Sequence, residues 1–170
     1  TIPLIAIQMR AVQLGNTVSL VFTTVLDQVQ LGLVDEDEEV HEVTDRTYWE
    51  NRGSKTTVSM VDELVTIVKQ LDPALELKYN KFYIGLARQG QPDNFVIFRP
   101  QKNSLRVEPR LKKSEDIEQK IESAGLDVIE YDNRGGRYRI RLGKGEVKKH
   151  TDILSGLFSL AHTEFDGGNS

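Results

Sequence analysis

The sequence predicts an α+β fold, an antiparallel sheet covered on one face by helices in two layers, with an N-terminal β-hairpin ahead of it. Three observations carry that prediction. Short apolar runs follow one another between Leu75 and Leu111, as Lys81 to Leu86, Asn94 to Pro100 and Leu105 to Arg110, and read as a strand meander. Stripes of apolar residues at helical spacing stand before, between and after these runs. A second hairpin closes the sheet before the last stripe, which gives the order helix, three strands, helix, two strands, helix.

Each element has a local cause. Residues 2 to 12 and 17 to 25 form two strand-like runs around a turn at Gly15-Asn16, and two strands alone are marginal in water. They are expected to pack on the rest of the chain, on a second copy in a homodimer, or on a preceding domain. Asp35 to Glu39 is a block of like charge that reads as a solvated linker. From Ser54 to Leu71, Val58, Val61, Leu64, Val65, Val68 and Leu71 fall on one helical face; Ser54 or Thr57 caps the start and Asp72-Pro73 stops it. The single tryptophan, Trp49, beside Tyr48 just before that helix, reads as a packing anchor. Ser114-Glu115-Asp116 opens a short helix with Ile117, Ile121 and Ala124 on its stripe and Gly125 at its end. A hairpin follows, Val128 to Tyr131 and Tyr138 to Leu142, around Asn133-Arg134-Gly135-Gly136. The final helix is predicted from Gly145 to Glu164, with a loose tail after it at 166 to 170.

Composition bounds the classes. The 170 residues are 38% hydrophobic and 28% charged, which is ordinary globular material. No apolar stretch approaches the roughly 20 residues that cross a bilayer as a helix, so no membrane partner is expected and the cytoplasm is the default location. The absence of cysteine excludes disulfides, thiolate metal sites and cysteine nucleophiles. The net charge of −4 hides an asymmetry. Residues 1 to 50 carry −7 and residues 51 to 170 carry +3. This supports a boundary, with 1–47 as hairpin and acidic linker, 48–165 as the α+β domain and 166–170 as tail. Because Thr1 leads straight into strand-like sequence, residues 1–47 are expected to be the end of an upstream domain.

Lys78 to Leu86, Phe95 to Lys102 and Leu105 to Arg110, in that order and spacing, resemble the C-terminal domain of bacterial and archaeal proteins labelled "predicted transport protein". That domain is of unknown function and is often attached to a nuclease-like domain. The resemblance covers roughly Tyr48 to Phe165, and it implies the same α+β fold and an upstream nuclease-like neighbour. The chain departs from the pattern at the late hairpin, where Arg134-Gly135-Gly136 stands in place of a Trp-Gly turn.

Catalytic signatures are sparse, and neither an enzymatic function nor a cofactor or metal is expected. Glu76-Leu77-Lys78 has the local form of a nuclease Glu-x-Lys, yet Asp72 stands too close before it to act as the separate metal-binding acid. His41, His150 and His162 are scattered, no Gly-x-Ser-x-Gly elbow occurs, and Gly143-Lys144-Gly145 lacks the rest of a phosphate loop. Cationic alternation is the better clue. Arg106 and Arg110 share one parity on their strand, as Arg137, Arg139 and Arg141 do on the hairpin, with Lys81 and Tyr83 as further members on the first strand. Guanidinium forks suit phosphate, and Tyr83 could stack a base. The pattern fits a ladder of cross-strand charge pairs with Glu108, Glu130 and Asp132, a surface for nucleic acid or a small anionic ligand such as a nucleotide or sugar phosphate, or a protein interface. The functional expectation is a non-catalytic binding module that contacts nucleic acid through a basic sheet face. A sensor holding an anionic ligand between helix 54–71 and the sheet is the alternative, with a dimerisation module next.

Overall fold

The computed structural model describes the backbone of residues 5–14 and 17–27 and the chain from 44 to 167, with side chains of residues 44 to 165. The chain divides into two compact units, Thr1–Glu42 and Val43–Ser170. The first holds β1 (Ile5–Leu14) paired antiparallel with β2 (Thr17–Asp27), with a register shift at Ala6/Ile7. The acidic block 35–39 and the turn at 15–16 lie outside the described residues.

The second unit is an α+β domain with a seven-stranded antiparallel sheet. Its strands are β3 (Leu75–Tyr79), β4 (Ile84–Arg88), β5 (Gln91–Pro92), β6 (Val96–Pro100), β7 (Leu105–Pro109), β8 (Asp127–Asp132) and β9 (Arg137–Leu142). The order is β3-β4-β6-β7-β9-β8, with β5 pairing beside β4. The late hairpin therefore adds to the meander through β9 and leaves β8 at the edge. Among the described residues five helices accompany the sheet: α1 (Arg46–Arg52), α2 (Lys55–Leu71), α3 (Glu115–Ser123), α4 (Glu146–Lys149) and α5 (Thr151–Gly167).

Binary pattern explains the layering. Ile84, Leu86, Val96, Phe98, Leu105, Val107, Tyr138, Ile140 and Leu142 alternate onto one sheet face and join one core cluster with Val58, Val61, Leu64 and Val68 of α2 and Leu154, Leu157 and Phe158 of α5. In α2 the Ser54 hydroxyl accepts from the Thr57 N–H at 3.2 Å and the Thr57 hydroxyl from the Ser54 N–H at 3.1 Å, a reciprocal cap that fixes the start. Gly53 before it is a packing requirement, because a Cβ there would come within 2.9 Å of the Pro100 Cβ.

Several elements differ from the sequence expectation. Residues 46–52 form a helix of their own and β3 is a full strand, so Lys81 and Tyr83 lie in the turn between β3 and β4 rather than on a strand. The last helix is broken at His150, whose backbone leaves helical geometry at φ −114 and ψ 21. Next to the break the Thr151 hydroxyl donates back to the carbonyls of Val147 and Lys148 at 3.0 and 3.1 Å, a contact that bends helices. α5 then continues to Gly167, so residues 166 and 167 are helical where the sequence predicts a tail, residues 168–170 lie outside the described residues, and Phe165 packs against the core.

Ser114 stands at the N-cap of α3 without a side-chain cap hydrogen bond. The buried Tyr138 hydroxyl anchors the Ser114 backbone there, accepting from the Ser114 N–H at 2.8 Å and donating to the Ser114 carbonyl at 3.2 Å. Burial pushes the Tyr138 phenol up from its ordinary value, so it stays a donor at any physiological pH. Tyr138→Phe leaves the Ser114 N–H unpaired, while the Ser114 carbonyl keeps the Glu118 N–H, and is expected to lower the unfolding free energy by about 1 to 2 kcal/mol in urea melts. A loss below about 0.5 kcal/mol would show that water replaces the hydroxyl without cost.

Candidate nucleic-acid interface

The second sheet face is built around one carboxylate. On β7 the parity that sends Leu105 and Val107 into the core sends Arg106 and Glu108 to the other side. Register then sets the neighbours: Arg99 on β6 stands opposite Arg106, and Arg141 on β9 stands on its other flank. Glu108 is 1% exposed, and its Oε1 lies 2.9 Å from Arg99 Nε and 2.7 Å from Arg106 Nε, with Oε2 3.9 Å from Arg139 Nε. The Nε–H bonds do not aim at the oxygens, so these are contacts of charge rather than directed hydrogen bonds. The aliphatic stems of these arginines lie on the same face as Ile97, which is itself buried although it points away from the helices.

The edge strand β8 supplies the remaining acids. A register shift between Val128 and Glu130 places Glu130 opposite Arg139 and Asp132 opposite Arg137, while Asp127 faces Arg141. Arg139 pairs with Glu130 and, at 3.1 Å, with Asp132. The Asp132 Oδ1 also accepts the N–H groups of Gly135 and Arg134 at 3.1 Å each, which fixes the hairpin turn. Those hydrogen bonds, the Gly135 one foremost, outweigh burial and hold the Asp132 carboxyl below the usual carboxylate range, helped by Arg139 and Arg137. Arg141 lies 3.3 Å from Asp127, and both side chains are more than half exposed.

Each site residue inferred from the sequence now has a place. Arg106 and Arg139 share Glu108. Arg137 is a strand clamp: its guanidinium donates to the carbonyl of Glu108 at 2.9 Å and to that of Asn94 at 2.7 Å. Burial pushes it down to about 10, so it remains charged at neutral pH. Arg141 keeps a solvated pair. Arg110 has its guanidinium 5.5 Å from the centroid of the Phe165 ring, with no carboxylate in ion-pair range among the described residues. Tyr83 lies 5.7 Å from the guanidinium of Arg99, and Lys81 lies 5.9 Å from the exposed Phe82 ring. The sheet thus gathers Arg106, Arg110, Arg137, Arg139 and Arg141 on one face and leaves Lys81 at its β3–β4 corner.

Three cations escaped sequence reasoning. Arg99 joins the Glu108 cluster because β6 and β7 are in register. Lys112 and Arg134 meet Arg110 because the Leu111 N–H donates to the Gly136 carbonyl at 3.0 Å, which brings the end of β7 against the β8–β9 turn. Only the nonsequential pairing of β7 with β9 reveals that meeting. Together with Tyr131, Glu164 and Phe165 these residues line a cleft of about 620 Å³.

The residues weighed for catalysis lie elsewhere. The Asp72 carboxylate accepts from the Ala74 N–H at 2.8 Å and lies 3.0 Å from Arg88 Nε. His162 Nε2 is 3.1 Å from Arg88 and its ring meets the edge of Phe95. No described group of three His, Asp or Glu side chains could hold a metal ion. No known protein family, curated protein or solved structure matches the chain.

Proposed function

We propose that residues 44–167 are a non-catalytic binding module whose arginine-bearing sheet face seats the phosphate backbone of a nucleic acid, beside the nuclease-like neighbour implied by the sequence resemblance. One observation carries the reading. Along β6 to β9, six guanidiniums, of Arg99, Arg106, Arg110, Arg137, Arg139 and Arg141, stand with four carboxylates, of Glu108, Asp127, Glu130 and Asp132. Two positive charges remain in excess, and they are not spread evenly. The buried carboxylate of Glu108 is shared by Arg99, Arg106 and Arg139 at the centre, whereas Arg110, with no carboxylate in range among the described residues, and Arg141, in a solvated pair, stand towards opposite ends of the arginine rows. A solvated pair such as Arg141–Asp127 contributes at most about 1 kcal/mol, so a phosphate can displace its carboxylate. Arg110 holds its guanidinium over the Phe165 ring at 5.5 Å from the centroid, and a guanidinium fork suits a bidentate phosphate contact.

Fluorescence anisotropy with an unphosphorylated single-stranded decamer and a duplex of the same sequence, at low and moderate salt, tests this reading. The expected result is binding at low salt that weakens steeply as salt rises, since each phosphate contact releases counterions. No binding at low salt would contradict it.

A further inference from the structure

We infer that the cleft at the β8–β9 turn is a second binding site, for a phosphate monoester carried by a nucleotide. It would take either a phosphorylated strand end or a free mononucleotide. This deepens the reading of the sheet face, and rests on it for the strand but not for the nucleotide.

The walls come from three separate parts of the chain. The end of β7 gives Arg110, Leu111 and Lys112, the turn gives Arg134, and the end of α5 gives Glu164 and Phe165. They are held together by backbone contacts. The Leu111 N–H donates to Gly136, the Tyr131 hydroxyl donates to the Leu111 carbonyl at 2.9 Å, and the Glu164 carboxylate accepts the Lys112 N–H at 3.1 Å. The one acid in the wall is therefore engaged with the backbone. Arg110, Lys112 and Arg134 face it as three cations, none with a carboxylate in ion-pair range among the described residues.

Charge alone would suit any anion, and size and ring chemistry narrow the class. Small-molecule sites typically occupy roughly 300–1,000 Å³, and a cleft of about 620 Å³ has room for a sugar and base beside a phosphate. Two aromatic rings flank the cations. Tyr131 is fixed by its hydrogen bond and by an edge contact to Tyr138 at 4.9 Å, and Phe165 carries the Arg110 guanidinium. A planar base can stack on an aromatic ring or on a guanidinium plane while three cations hold a dianionic phosphate. Gly135 and Gly136 form the turn that makes one wall of the cleft. Gly136 adopts φ +63, where a side chain would be strained, and a Cβ on Gly135 would come within 2.9 Å of the Asp132 carboxylate.

Anisotropy titrations of the full chain with a labelled decamer bearing a 5′-phosphate, a 3′-phosphate or neither test the inference, alongside calorimetry with adenosine monophosphate and adenosine. One phosphorylated end is expected to bind about tenfold tighter than the unphosphorylated strand, the worth of one charge-assisted hydrogen bond. Adenosine monophosphate is expected to bind where adenosine does not. In K112Q/R134Q, at exposed positions where folding is checked by an unchanged urea midpoint, the affinity ratio between phosphorylated and unphosphorylated strands should fall to about one. Equal affinity for all three strands together with identical behaviour of adenosine and its monophosphate would overturn the inference and leave the sheet face untouched. Binding of the monophosphate without binding of any strand would sustain the cleft and overturn the reading of the face.

Discussion

Replacing Glu108 by glutamine is expected to lower the unfolding free energy by about 3 kcal/mol in urea melts near neutral pH. The substitution keeps the shape of the side chain and removes its charge. Glu108 is 1% exposed and is the shared counterion of Arg99, Arg106 and Arg139, so a neutral amide leaves three guanidiniums crowded at the centre of the sheet. Breaking a buried pair by removing one partner costs about 3 to 5 kcal/mol, and the low end applies because all three arginines keep part of their surface in water. Combining Glu108→Gln with Arg106→Met should recover part of the loss, since it removes one of the unpaired cations. A cost below about 1 kcal/mol would mean that water and Glu130 already neutralise the cluster, and that Glu108 is not its hub.

Trp49→Ala should be the most damaging single truncation, at about 3 to 5 kcal/mol. Trp49 is 2% exposed, belongs to the core cluster and donates from its indole nitrogen to the Asn80 carbonyl at 3.0 Å. Its neighbours on α1 seize the same turn: the Tyr48 hydroxyl donates to the Lys81 carbonyl at 3.2 Å, and Arg52 donates to that carbonyl at 2.5 Å. The indole thus holds the corner on which Lys81 and Tyr83 sit. Trp49→Phe keeps most of the volume and loses the indole donor, so it should cost only about 1 to 2 kcal/mol. Since Trp49 is the only tryptophan, unfolding is followed by circular dichroism. Near-equal stability of the alanine and phenylalanine variants would contradict the anchoring role.

How far the sequence carries can be read from particular residues. Val58, Val61, Leu64 and Val68 announce α2 because their spacing is regular over 17 residues, long enough for period to outweigh propensity. The seven residues of α1 give no such signal, and tertiary contacts of Tyr48, Trp49 and Arg52 hold that helix instead. Strand parity is strict, so Arg106, Arg110, Arg137, Arg139 and Arg141 could be placed on one face from alternation alone. The same rule misplaced Lys81 and Tyr83, because alternation does not reveal that a turn has replaced the strand.

Charge pairing needed register. That Arg99 rather than Arg110 shares Glu108 follows from β6 lying beside β7 with Arg99 opposite Arg106. The cleft needed topology. Lys112 and Arg134 are 22 positions apart in the chain and meet because β9, not β8, pairs with β7. A linear reading sees two ordinary surface cations there.

The central claim is that the ends of the arginine face, and not its Glu108-bound centre, meet nucleic-acid phosphate. The most direct measurement is the salt dependence of affinity for an unphosphorylated single-stranded decamer, wild type against R110Q/R141Q. Loss of both terminal cations should weaken binding at low salt and flatten the plot of log affinity against log salt by about 1.4, the release of counterions from two single-strand phosphates. A slope and affinity unchanged from wild type would contradict the claim and leave the face as a ladder of internal charge pairs.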